Sequence, residues 1–149
     1  MTEHNSLDRL MELARERADD AARQLQTLNG SLRDARRQLD TLLVYRQDYT
    51  QRLEQAAQAG LSASNYHNFT LFIATLDEAI AQQNKVLAQI GAQVETGRRH
   101  WSDEQRKLNS YATLAERHAH HAALREQRKE QRDNDEIAAG LLRRMGKIH

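Results

Sequence analysis

Proline is absent from the 149 residues, where average usage would supply roughly seven. Proline deletes a backbone donor and clashes with the preceding turn, so its absence permits long unbroken helices. Cysteine is also absent, which excludes disulfides and the common cysteine-bearing zinc sites. Aromatic residues make up only 5% and hydrophobic residues 39%. That is too little for a thick globular core but enough for a narrow apolar seam. No apolar run approaches the ~20 residues that span a bilayer. The opening Met1-Thr2-Glu3-His4-Asn5 lacks the basic-then-apolar layout of a signal peptide. A cytoplasmic location is the expectation.

Charge is plentiful but nearly balanced, with 22 basic and 21 acidic side chains. Residues 98–149 carry 12 of the basic and 8 of the acidic ones, so the C-terminal third is basic. A dedicated nucleic-acid binder needs clustered cations against phosphates, and the overall balance argues against that role.

The spacing of apolar residues sets the architecture. From Ala18 a four-three rhythm runs through Ala21, Leu25, Leu28, Leu32, Ala35, Leu39, Leu42, Arg46, Tyr49, Leu53 and Ala56, with Arg46 the single polar member. Upstream, Leu7, Leu10 and Ala14 join it through two steps of four, which predicts a stutter in the supercoil. A second register opens at Tyr66 and continues through Phe69, Ile73, Leu76, Ile80, Gln83, Leu87, Ile90, Val94, Gly97, Trp101, Glu104, Leu108, Tyr111, Ala115, His118 and Ala122. Seven-residue repeats of this kind hold one stripe against a partner helix. Gly60 suits a helix end, and Ser62 or Ser64 suits the next N-cap. So short a connection makes the two helices antiparallel neighbours.

The expected fold is therefore all-α, a two-helix antiparallel coiled-coil hairpin with an unpaired C-terminal helical extension. Helix one is expected at about 5–58, the turn at 59–64 and helix two at 65–132. A disordered or amphipathic tail then follows over 133–149, all within one coiled-coil domain. Folding about residue 60 pairs position i with about 121 minus i. Trp101 then faces Ala18 and Ala21, Glu104 falls near Arg17, and the paired rod is roughly 80 Å long. Residues 125–136 lack any apolar side chain. Apolar residues return at Ile137, Leu141, Leu142, Met145 and Ile148, an arrangement open to docking or to simple fraying.

Little in the sequence supports catalysis. Gly140 to Lys147 superficially resembles a phosphate loop but has one residue too many, no hydroxyl after the lysine and no preceding strand. His118 and His121 share a helical face, yet a solvated histidine run explains them better than a ligand set. The carboxylates lie at helical spacing from arginines, as surface pairs do. No enzyme activity, cofactor or metal site is expected.

The flanks of the seam differ. One side carries Gln38, Tyr45, Phe72, Ala79 and Val86; the other carries Asn29, Arg36, Thr50, Asp77, Asn84 and Arg98, with Leu43 its main apolar member. Joined to seam residues, the first side yields Gln38, Leu42, Tyr45 and Tyr49 on helix one and Phe72, Leu76, Ala79 and Gln83 on helix two. Each set repeats at i, i+4, i+7, i+11, the spacing of one face. Pairing Tyr49 with Phe72 merges them into an aromatic patch. Either the rings widen the core, or the patch is a partner site.

The segments Leu7-Asp8-Arg9-Leu10, Ala18-Asp19-Asp20-Ala21-Ala22-Arg23, Tyr45-Arg46-Gln47-Asp48-Tyr49 and Phe72-Ile73-Ala74-Thr75-Leu76-Asp77-Glu78-Ala79-Ile80 resemble the FliJ family of bacterial flagellar type III export proteins. The resemblance implies a stalk-like coiled coil that binds the export ATPase ring through the open end of the hairpin. There it points to Leu7, Leu10, Arg17, Arg98, Arg99, Arg106 and Lys107. It further implies binding to the cytosolic domain of the export-gate membrane protein through the eight-residue stripe, and escort of export chaperones. The chain would be monomeric when free and peripherally associated with the inner-membrane export apparatus. Two alternatives remain at this point: a secretion chaperone that sequesters export clients, and a generic self-associating structural coiled coil.

Overall fold

The computed structural model describes the backbone of residues 2–148 and the side chains of residues 5–146. Two helices account for nearly all of it, α1 (Thr2–Gln58) and α2 (Ala63–Ile148). They form an antiparallel hairpin, and among the described residues there is no strand. Helix α2 does not stop near residue 132. It continues through the apolar-free stretch and the tail to Ile148, because charged side chains at helical spacing support a solvated helix without needing a core.

The turn follows local chemistry. The amide of Gly60 donates to the carbonyl of Ala57 at 3.3 Å. Its φ of 91° lies in the left-handed region, where a residue lacking Cβ meets no penalty. Of the two candidate caps, Ser62 serves. Its hydroxyl oxygen accepts from the Asn65 amide at 3.2 Å, satisfying one of the orphan donors at the start of α2. Ser64 lies inside the helix.

The chain forms two compact units, Arg17–Glu104 and Met1–Glu16 together with Gln105–His149. In the first, every seam position of α1 from Ala18 to Ala56 is buried or half-buried, and Ala21 is only 1% exposed. On α2 the register holds from Phe69 to Glu104 with one partial departure, Trp101, which stays 39% exposed. Tyr66, at the mouth of the turn, is exposed. Gln83 meets Gln38 and Tyr49 meets Phe72, both pairs summing to 121. Glu104 is 7% exposed, whereas Arg17 lies at the surface.

In the second unit, burial passes through Leu7, Met11 and Ala14 and leaves Leu10 43% exposed. The stutter expected from Leu10 therefore does not arise, because Met11 keeps the four-three rhythm. Leu108, Tyr111 and Ala115 are half-buried on α2, while His118 and Ala122 are exposed. The buried part of the second register thus ends at Ala115.

Candidate protein-binding face

Within Arg17–Glu104, Tyr49 organises the aromatic residues. Its ring centroid lies 4.3 Å from that of Phe72 and 6.4 Å from that of Phe69, with tilts of 42° and 57°. Tilted contacts set a ring's positive edge against its neighbour's negative face. The Arg52 guanidinium sits 5.4 Å from the Tyr49 centroid, a cation–π distance. Asp48 holds Arg52 there at 3.2 Å. Tyr49 itself is half-buried, while Tyr45 and Phe72 remain 53% and 42% exposed. The rings therefore do more than widen the core. Tyr45 and Phe72 stand at the surface, and Tyr49 packs against Phe72.

The other stripe residues grade from support to surface. Leu76 is buried, Leu42 and Ala79 are half-buried, and Gln38 is exposed. At the polar end, the Gln83 amide donates to the Ala35 carbonyl at 2.9 Å and to Gln38 Oε1 at 3.1 Å. These bonds link the two helices within the face itself. On the opposite flank, Arg46 donates through both Nε and Nη2 to the Asp77 carboxylate. That hydrogen bond, and next the charge of Asp77, push the Arg46 guanidinium above its ordinary value. Arg46 is half-buried at a seam position, where its charge is met by Asp77.

Periodicity missed some exposed apolar side chains. Val44 and Leu71 are 65% and 53% exposed at the outermost positions of their heptads, where spacing alone suggests polar residues. The residues linked to the open end divide between the units. In Arg17–Glu104, Arg17, Arg98 and Arg99 are exposed, and Arg98 lies 3.7 Å from Glu95. In the other unit Leu7 is buried, whereas Leu10, Arg106 and Lys107 are exposed. Leu13 and Leu114 are also exposed there, at 42% and 41%. Leu13 follows Leu10 at i+3, the one spacing signal that could have marked it.

The rings of His120 and His121 are 6.3 Å apart. Among the described residues no group of three or more His, Cys, Asp or Glu could hold a metal ion. Among the described residues no helix is long and apolar enough to cross a membrane.

The family model described as flagellar FliJ protein matches residues 3–147. The chain belongs to the flagellar FliJ family. The FliJ protein of Escherichia coli (strain K12) is 33% identical over 138 residues, covering 93% of this chain and 94% of that protein. The FliJ protein of Salmonella typhi is 32% identical over the same coverage. A solved structure described as a YscO homologue from Chlamydia trachomatis superposes with a TM-score of 0.51. It shares 14% identity and covers 99% of this chain and 94% of its own, a likeness of fold. Membership in the FliJ family places the chain in flagellum biogenesis and type III protein export.

Proposed function

We propose that this FliJ-family chain is a non-enzymatic coupling element of flagellar export, joining the export ATPase ring to the membrane export gate and escorting export chaperones. One observation carries this reading: Tyr45 and Phe72 stand 53% and 42% exposed on a face braced by Tyr49. Exposed aromatic side chains of low conformational freedom are the usual anchors of protein interfaces. The gate-binding face comprises Gln38, Leu42, Tyr45, Tyr49, Phe72, Leu76, Ala79 and Gln83, with buried Leu76 acting as support. The ring contacts comprise the exposed arginines Arg17, Arg98, Arg99 and Arg106, with Lys107 and Leu10, while buried Leu7 holds the helix that presents Leu10. ATP hydrolysis belongs to the ring, and this chain contributes binding and transmission of conformational change.

The test is a chain carrying Tyr45→Ala, Tyr49→Ala and Phe72→Ala, titrated against the isolated cytosolic domain of the gate protein. Affinity is expected to fall at least tenfold, about 1.4 kcal/mol, with helicity retained. Unchanged affinity in a helical variant removes this face from the mechanism.

A further inference from the structure

Arg52 continues the aromatic face toward the turn, beyond the eight residues of the stripe. Within Arg17–Glu104, Gln38, Leu42, Tyr45 and Tyr49 follow one another along α1 by steps of four, three and four. Arg52 is the next step of three. It stands one repeat beyond Tyr45, about 10 Å along the helix axis, and one turn beyond Tyr49. Tyr49 in turn packs on Phe72, so Arg52 borders the part of the face where the exposed rings stand.

Two observations set this arginine apart. The first is its isolation on this flank. The flank consists of two rows on each helix, repeating every seven residues from Gln38 and Thr41 on α1 and from Asn65 and Asn68 on α2. Followed to Gln55 and Gln89, those rows hold two charged residues, Asp48 and Arg52, in a chain that is 29% charged. The second is that the guanidinium is held in place. It sits 5.4 Å from the Tyr49 centroid, and Asp48 Oδ2 meets its Nε at 3.2 Å. Of the two side chains Arg52 is the outer one, 59% exposed against 46% for Asp48. Asp48 engages Nε, one of five N–H donors on a guanidinium.

We infer that Arg52 is the specificity-determining contact of this face, and that it takes a carboxylate of the partner beside the site that receives Tyr45 and Phe72. A partner that covers those rings also strips water from a guanidinium one turn away. Desolvating a cation is costly unless the partner supplies matching acceptors. The two oxygens of a carboxylate fit the planar fork of arginine and answer its charge. Because Asp48 and the Tyr49 ring already orient the guanidinium, little side-chain freedom is lost on docking. The apolar contacts slide readily along a rod of repeating shape, whereas one charge on a neutral flank favours a single register and penalises an unmatched surface. The inference rests on the reading that this face binds the cytosolic domain of the gate protein.

The full chain and three variants are titrated against the isolated gate domain, with circular dichroism checking that each stays helical. Arg52→Met keeps a stem over Tyr49 without the charge and is expected to weaken binding about fivefold. Arg52→Glu is expected to weaken it at least about tenfold, and Arg52→Lys to fall between Arg52→Met and the parent. Raising salt from about 50 to 300 mM should weaken the parent more than Arg52→Met. Exposed Asp and Glu residues of the gate domain are then changed to Lys one at a time. One such change should weaken binding of the parent and restore binding of Arg52→Glu. Three results overturn the inference: Arg52→Glu binding like the parent, Arg52→Met matching Arg52→Glu with the parent's salt dependence intact, or no reversal that restores Arg52→Glu. The chain carrying Tyr45→Ala, Tyr49→Ala and Phe72→Ala is measured alongside. If it binds weakly, any of these results removes Arg52 and leaves the face in place; if it binds like the parent, the face and the role of Arg52 fall together.

Discussion

Gly97 occupies a seam position on α2, where an added Cβ would sit 3.1 Å from Leu28 Cδ1 and 3.5 Å from Leu25 Cδ1. The first distance is tight, but the obstructing atom is the end of a flexible side chain. Leu28 is half-buried and borders an open depression with Ala92, Thr96 and His100, so it has room to rotate. Replacing glycine in a helix interior recovers about 1 kcal/mol of propensity, more than a small shift of Leu28 should cost. Gly97→Ala is therefore expected to stabilise the chain by about 0.5 kcal/mol in urea denaturation. Gly97→Leu is expected to destabilise it by roughly 1–3 kcal/mol through overpacking. A destabilised alanine variant would mean that Leu28 is held more rigidly than its surroundings suggest.

At the scale of an element, the polar members of the seam set which residues meet. Gln83 is bonded to a backbone carbonyl and a side chain of α1, and Arg46 reaches Asp77 across the hairpin. Polar seam residues cost stability but penalise displaced registers, in which their partners are lost. Gln83→Leu is expected to raise the thermal midpoint by several degrees, equivalent to about 1 kcal/mol, while admitting misregistered or self-associated species on sedimentation. A lower midpoint would show that the amide is worth more than the apolar contact replacing it. These pairings were largely legible in the spacing: the rule summing to 121 places Gln38 on Gln83 and Tyr49 on Phe72 before any coordinates. Two features were not. Met11 displaces Leu10 because methionine is flexible and fills whichever gap the supercoil presents, and periodicity cannot rank two adjacent apolar residues. Val44 and Leu71 were hidden because apolar character alone does not reveal which heptad position stays uncovered. The stripe around Tyr45 was visible as a pattern, but its bracing by Phe69 and Arg52 depends on rotamers.

At the scale of the whole molecule, residues 133–146 are helical yet almost wholly exposed. Removing residues 133–149 is expected to change the unfolding free energy by less than about 0.5 kcal/mol, as for other exposed sites. Hydrogen-exchange protection across Arg17–Glu104 should persist, and a large loss of it would mean that the tail contributes packing the structure does not show. Throughout the described residues no large side chain is fully buried; the most hidden position is Ala21 at 1%. Stability is therefore spread over many shallow layers, each worth little and each replaceable by another apolar residue of similar bulk. Their phase is less forgiving. One inserted residue near the middle of α1 turns everything beyond it by about 100°, moving Leu39, Leu42 and Tyr49 off the stripe together. In so thin an interior, a change in residue count does more harm than most changes of side chain.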